Sequence, residues 1–351
     1  MESLVELDSL EILVIIDNEL DPISASPNPA VLQTNGLRDI GFNGPTRAAS
    51  TPGGGVKELR MDHICCSAHG LSLMITGTKN GQDHMILFDT GPEESAFERN
   101  AKRLKAELGK VETIQLSHWH RDHSGGMLKV LEMINEARDG TRKLVDVDLH
   151  PSRPDYRGMA PPIPGVGVVS LEADPTFFEI ESAGGNVQKH DNTHTVLDNF
   201  FLVSGEIPRV TSYERGLRFG VRYNAATDSW EEDTLIQDER FLMCRVKGKG
   251  LVMFTGCSHA GVVNASTHAA ELGQGVPLYA VMGGFHLADA EQSQIEATAR
   301  DLQNLGIKVL LAGHCTGWRA KYEIHRVFGE GALVPSFVGS RFVLGSLTSG
   351  R

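Results

Sequence analysis

The sequence has no run approaching the roughly 20 consecutive apolar residues that a membrane-crossing helix needs, so no membrane association is expected. Its start is acidic, with Glu2 and Glu6, and lacks the basic stretch and apolar core of a secretory leader. Cysteine is scarce. The 5 residues Cys65, Cys66, Cys244, Cys257 and Cys315 are odd in number and widely spaced, without a C-x-x-C pair, which excludes a disulfide framework and points to a reducing, cytoplasmic setting. Positive charge is in deficit too, with 33 lysines and arginines against 45 acids and a net charge of −12. Such a surface repels a phosphate backbone, so nucleic acid is not expected as a partner. No internal repeat of fixed period is present.

What the chain does have is length and apolar content. Its 351 residues, 40% of them hydrophobic, suffice for a large core, here a single domain over 1–351 with insertions. The apolar run 11–16 reads as a strand, and the Pro-, Gly- and Ser-rich tract 22–60 as an irregular loop insertion. Apolar runs at 71–76 and 84–88 flank Asn80-Gly81, a strong hairpin signal, and the second strand ends in Asp89-Thr90-Gly91. Helices are expected over 94–108 and 127–137, with a buried strand at 113–117 between them. Prolines break the 144–245 segment, which reads as a partly irregular cap. Beyond it, buried-type strands at 250–256, 276–282 and 307–313 alternate with helical segments around 266–272 and 290–305. Each of these strands ends in a loop bearing a histidine: His259, His286 and His314.

Directly after the 113–117 strand, His118, Trp119, His120, Arg121, Asp122, His123, Ser124, Gly125 and Gly126 spell H-x-H-x-D-H-x-G-G. Imidazole nitrogen and carboxylate oxygen are ligands that zinc takes at about 2.0–2.2 Å, and zinc that keeps a water lowers its pKa towards neutrality. A lone histidine would be read as a hydrogen-bonded core or surface residue. Three imidazoles and a carboxylate at this spacing read as a metal site, because no packing requirement calls for so many polar side chains together. The later histidine loops are then expected to converge on the same centre.

On these residues the chain resembles the metallo-β-lactamase superfamily. The matching features are Asp89-Thr90-Gly91, the H-x-H-x-D-H motif, the strand end Thr255-Gly256 and the late Gly313-His314, which together span most of the chain. The resemblance implies an α/β fold of the α+β kind, an αββα sandwich with an inserted cap and a one- or two-metal site at one edge of the sheets. It also implies that His118 and His120 serve one metal, and Asp122, His123 and His314 the other. Two positions depart from the pattern. Cys257 replaces the aspartate that follows the T-G strand end, with His259 two residues later. Either can be the ligand, and His259 is preferred. Upstream, Asp238 and Glu239 stand where the superfamily has its third histidine. They are carboxylate ligands or solvated acids, and as ligands they would admit manganese or iron, or a single ion. A closer resemblance is to the branch named for 7,8-dihydropterin-6-methyl-4-(β-D-ribofuranosyl)-aminobenzene-5'-phosphate synthase. Its tags are Asp17-Asn18, His69-Gly70, the 204–209 segment, Cys257-Ser258-His259, Gly283-Gly284-Phe285-His286 and Gly313-His314-Cys315.

The function implied is hydrolysis of a small anionic ester, a phosphodiester, lactone or thioester, assisted by two zinc ions, or by manganese or iron. Asp122 would orient the attacking water, and His286 would touch substrate, donate a proton or add a ligand. Asp89 would support a ligand histidine through a hydrogen bond. Arg209 is the favoured grip on the anion, because a guanidinium fork suits phosphate and carboxylate. His150, Arg153, Arg157 and His190 are further candidates, with a solvated surface charge as the alternative for each. The rival readings are an iron-dependent oxidoreductase, a pterin-phosphate synthase or transferase, and a non-catalytic ligand-binding protein on the same fold.

Overall fold

The strands of the core are apolar on both faces, which is the pattern of sheets covered on both sides. The computed structural model describes residues 4–138 and 144–345; residues 1–3, part of the acidic start, lie outside them. One sheet runs Gly185–Lys189, Val145–Leu149, Thr113–Gln115, Gln82–Phe88, Ser72–Lys79, Ser9–Ile16, Arg341–Gly345 and Leu32–Thr34 in spatial order. The other runs His194–Val196, Phe201–Val203, Leu242–Val246, Gly250–Thr255, Leu278–Gly284 and Val309–Gly313, with Glu6–Leu7 added against Leu242–Val246.

Period-two alternation assigns each side chain to a layer. Leu10, Ile12 and Val14, Leu73 and Ile75, and Ile86 and Phe88 meet Val252, Phe254, Met282 and Leu311 in the core between the sheets. Their neighbours Leu13, Ile15, Met74 and Leu87 face the other way, onto Phe97, Val130, Leu131 and Ile134 of the helices Glu94–Leu104 and Met127–Ala137. On the far side, Met253, Val281 and Leu310 pack on helices Val262–Leu272, Gln292–Asn304 and Trp318–Phe328. The helices earn these places by spacing: Ile295, Thr298, Ala299 and Leu302 are the buried stripe of Gln292–Asn304. The result is the expected αββα sandwich.

The hairpin forms at Asn80-Gly81, both with positive φ (50° and 79°), as a two-residue turn of this type requires. The 144–245 segment divides. Its flanks, Val145–Leu149, Gly185–Lys189, Phe201–Val203 and Leu242–Val246, are strands of the two main sheets, and only Arg157–Met159, Val169–Ser170, Gly220–Asn224 and Ser229–Glu232 form a separate small sheet. The 22–60 tract contains a short strand, Leu32–Thr34, and a short helix, Leu37–Phe42. Among the described residues no helix is long and apolar enough to cross a membrane.

The Phe88 and Phe254 rings join the sheets across the central layer, 6.5 Å apart. Phe254→Ala removes the larger part of that contact and is expected to destabilise the fold by about 3–5 kcal/mol in a denaturant titration.

Candidate metal centre

Four strands end at one edge of the sandwich in loops that pass through the left-handed backbone region within their first three residues. Asp89, Ser258, His286 and His314 have φ of 60°, 62°, 46° and 45°. Left-handed backbone at residues other than glycine costs of the order of 1 kcal/mol or more each and persists where the surroundings impose it. Here the sharp turns bring the ends of separate strands onto one cleft.

Two groups of donor atoms fill it. In the first, His118 Nε2 lies 3.0 Å from His120 Nδ1, and His259 Nε2 lies 3.2 Å from the same atom. In the second, Cys257 Sγ lies 3.1 Å from both His123 Nε2 and His314 Nε2, while Asp122 Oδ2 lies 3.5 Å and 3.3 Å from those nitrogens. The groups adjoin, with the His118 and His123 rings 4.4 Å apart. Within each, the donor atoms all fall within 4.8 Å of one another.

The hydrogen bonds behind the rings decide where the protons sit. Asp89, fully buried, accepts from Ser117 N at 2.7 Å, from Ser117 Oγ at 2.8 Å and from His123 Nδ1 at 2.6 Å. Because the Ser117 hydroxyl donates to Asp89, it accepts from His118 Nδ1 at 3.0 Å. One carboxylate therefore holds the Nδ1–H tautomer of a histidine in each group. His314 Nδ1 donates to Asn18 Oδ1 at 2.9 Å, and its backbone N–H donates to Asp17 at 2.9 Å. His118, His123 and His314 thus all turn an unprotonated Nε2 inward when neutral.

Nitrogens at these separations are held together by a shared proton or by a cation among them. A tetrahedral zinc with ligands about 2.0–2.1 Å away spaces them about 3.3 Å apart, which matches the observed contacts. In the trio of His118, His120 and His259 the charge state fits as well. Burial, reinforced by neighbouring positive charge, holds His118 and His259 well below the ordinary histidine pKa and His120 at about 3. All are neutral donors at physiological pH. Burial pushes the Cys257 thiol up, so it becomes a thiolate donor only beside a positive centre. The residues present fit metal ions.

Cys257 and His259 are thus not alternatives, because each belongs to a different group. His259 is the third donor beside His118 and His120, and Asp238 and Glu239 are not among the donors. Those two acids hold the ligand loops from behind. Asp238 accepts from Trp119 N at 2.8 Å and pairs with buried Arg157 at 2.5 Å, whereas Glu239 accepts from the backbone of His259 and Ala260 at 2.8 and 2.6 Å. Arg209 also differs from expectation. Its guanidinium donates to the carbonyls of His259, at 3.2 Å, and Leu235, which braces the His259 loop. Arg153 is tied to the carbonyls of Asp174 and Pro175. His150 Nδ1 receives Ser152 N at 3.1 Å, and His190 bonds Asp148.

His286, half-buried, lies over His259 with ring centroids 4.5 Å apart. On the other side the exposed His69 ring has Nε2 3.6 Å from Asp122 and Nδ1 bonded to Asn18 at 2.9 Å. Asn18, His69 and Ser117 are functional candidates that ligand spacing did not reveal, although Asp17-Asn18 and His69-Gly70 stood out as branch tags. The glycines that close the motif have a steric reason. A Cβ on Gly125 would lie 1.8 Å from Pro92 O, and one on Gly126 would lie 2.2 Å from Thr90 O. The Asp89-Thr90-Gly91 loop presses directly on the motif, with Thr90 N donating to His123 O at 2.7 Å.

Known proteins agree with this architecture. A crystal structure described as a metal-dependent hydrolase of the β-lactamase superfamily superposes with a TM-score of 0.65, covering 95% of this chain and 98% of that one at 21% identity. The 7,8-dihydropterin-6-methyl-4-(β-D-ribofuranosyl)-aminobenzene-5'-phosphate synthase of Methanocaldococcus jannaschii is 30% identical over 276 residues, 75% of this chain and 86% of that protein. An uncharacterised protein of the same organism is 24% identical over 259 residues, 74% of this chain and 88% of its own. No protein-family model matches the chain. The chain shares the fold of that β-lactamase-superfamily hydrolase and belongs to the family of the Methanocaldococcus jannaschii synthase.

The bonds behind the ligands generate a graded prediction. Asp89→Asn disturbs a histidine of both groups and is expected to weaken both metal sites by about 10–100-fold in chelator competition. Glu239→Gln touches only the His259 loop and is expected to weaken one.

Proposed function

We propose that the chain is a metal-dependent hydrolase that attacks a small anionic ester, a phosphodiester, lactone or thioester, in the cytoplasm. The carrying observation is the pair of adjoining donor groups, three nitrogens on one side and Asp122, His123, Cys257 and His314 on the other. Cys257 favours zinc over manganese or iron, because thiolate is a soft donor. Two zinc ions, when bound, supply Lewis acidity, a water of lowered pKa and positive charge for a developing oxyanion.

The residues divide the remaining tasks. Asp122, on the partly exposed side of its group, orients the attacking water through its carboxylate. His286 and His69 flank the mouth and offer N–H donors to an anionic substrate or its leaving oxygen. Glu239, Asp238 and Asp89 keep the ligand loops in place through the bonds described above. With Arg209 engaged on carbonyls, these two histidines take over the recognition of charge.

One observation favours a second reading. The relative at 30% identity bears a synthase's name, which supports a reaction that joins a dihydropterin to a ribofuranosyl-aminobenzene phosphate. A single set of measurements separates the two. Metal content by plasma mass spectrometry is expected near two zinc ions per chain, and hydrolysis of bis-p-nitrophenyl phosphate is expected to fall at least about 100-fold in His120→Ala, together with metal. Coupling of the dihydropterin and aminobenzene components without ester hydrolysis would instead establish the synthase. Bound iron with oxygen consumption would replace both by an oxidoreductase.

A further inference from the structure

A third group of ligating side chains lies outside the candidate centre, where the two sheets meet at one edge. Asp148 belongs to the strand Val145–Leu149, and His190 directly follows Gly185–Lys189, the edge strand of the same sheet. His194 opens His194–Val196, the edge strand of the other sheet. Only residues 191–193 separate the two histidines, so the chain crosses from one sheet to the other within this cluster.

Both rings point at one oxygen. Asp148 Oδ2 lies 2.9 Å from His190 Nδ1 and 2.6 Å from His194 Nε2, and the rings stack with centroids 4.1 Å apart and planes 32° apart. The other oxygen, Oδ1, is held by the fully buried Arg240 at 2.6 Å. Asp148 is therefore already balanced by one permanent cation.

The tautomer of His194 provides the independent observation. Its Nδ1 lies 2.9 Å from the carbonyl oxygen of Asn192, which can only accept, so Nδ1 carries the proton. In the neutral ring Nε2 is then bare, yet it faces a carboxylate oxygen at 2.6 Å. Two acceptors at that distance hold positive charge between them, as a proton or as a metal ion. A backbone carbonyl fixing one ring nitrogen so that the other faces outward is also how proteins orient metal-binding histidines.

We propose that Asp148, His190 and His194 form a separate site for a divalent transition ion of the zinc, nickel or copper class, which clips the edges of the two sheets together. Two imidazoles and a carboxylate suit such ions better than magnesium or calcium. Opening the 2.9 Å contact by about 0.4 Å and the 2.6 Å contact by about 0.7 Å reaches the roughly 3.3 Å ligand spacing of tetrahedral zinc. His190 is partly exposed, with 39% of its side chain accessible, so the ion has an entry path and solvent to complete its shell. Binding displaces protons, and affinity is expected to fall on acidification.

The test counts ions and does not rest on the proposed hydrolysis. Zinc-saturated, desalted wild-type protein is expected to hold one more ion per chain by plasma mass spectrometry than the double variant His190→Gln/His194→Gln. His120→Ala, weakened at the main centre, is expected to keep that ion. A histidine-selective ¹⁵N NMR titration of the unaltered chain with zinc provides a readout that needs no variant. The His194 Nε2 resonance is expected to move from its free to its metal-bound position. Equal ion counts in wild type and double variant, or a His194 resonance that stays at the imidazolium position throughout, would overturn the proposal and leave a proton in the ion's place.

Discussion

The candidate centre hangs on the carboxylate of Asp89. Its oxygens take three hydrogen bonds, two from Ser117 and one from His123, and through the Ser117 hydroxyl they reach His118. A histidine offers a bare nitrogen to one side only when its proton is held on the other, and this single buried acid does so for one ring in each donor group. Its position at a strand end, at φ 60°, aims it under the ligand loop and away from the cleft. The spacing of the donor atoms follows from that arrangement.

The same logic extends outward. Asn18 secures His314, Glu239 takes the backbone N–H groups of the His259 loop, and Asp238 takes that of Trp119 while balanced by Arg157. Charged groups rarely sit in a protein interior without partners. Here each has its partner in the backbone or side chains of a ligand loop, so burial of charge and placement of ligands are one structural arrangement. The small sheet is joined to it, since Arg157 opens one of its strands and also bonds the Trp119 carbonyl at 2.8 Å.

Much of the site was legible in the chain. The dense motif at His118 to His123, the Asn80-Gly81 hairpin and the histidines closing three late strands are local patterns, set by spacing and turn chemistry. The rest depended on contacts between residues far apart in sequence. Asp238 and Glu239 occupy the upstream position where the superfamily pattern has a ligand, yet their carboxylates reach backbone N–H groups more than a hundred residues away in one case and about twenty in the other. Arg209 has the side chain of an anion grip, and only its two carbonyl partners reveal a brace. The strands Val145–Leu149 and Gly185–Lys189 were hidden in a proline-broken segment because short strands gain their stability from pairing, not from their own periodicity.

By itself the sequence determined the alternation of apolar residues that makes two doubly covered sheets, the turns that end their strands, and the presence of closely spaced metal-binding side chains. These are consequences of neighbours along the chain. Only the tertiary structure decided that Cys257 and His259, two positions apart, belong to different donor groups, and that His190 and His194 meet on Asp148. Whether a side chain becomes a ligand depends on which way its loop leaves the strand and on what fixes its proton. Both are set by residues that folding alone brings together.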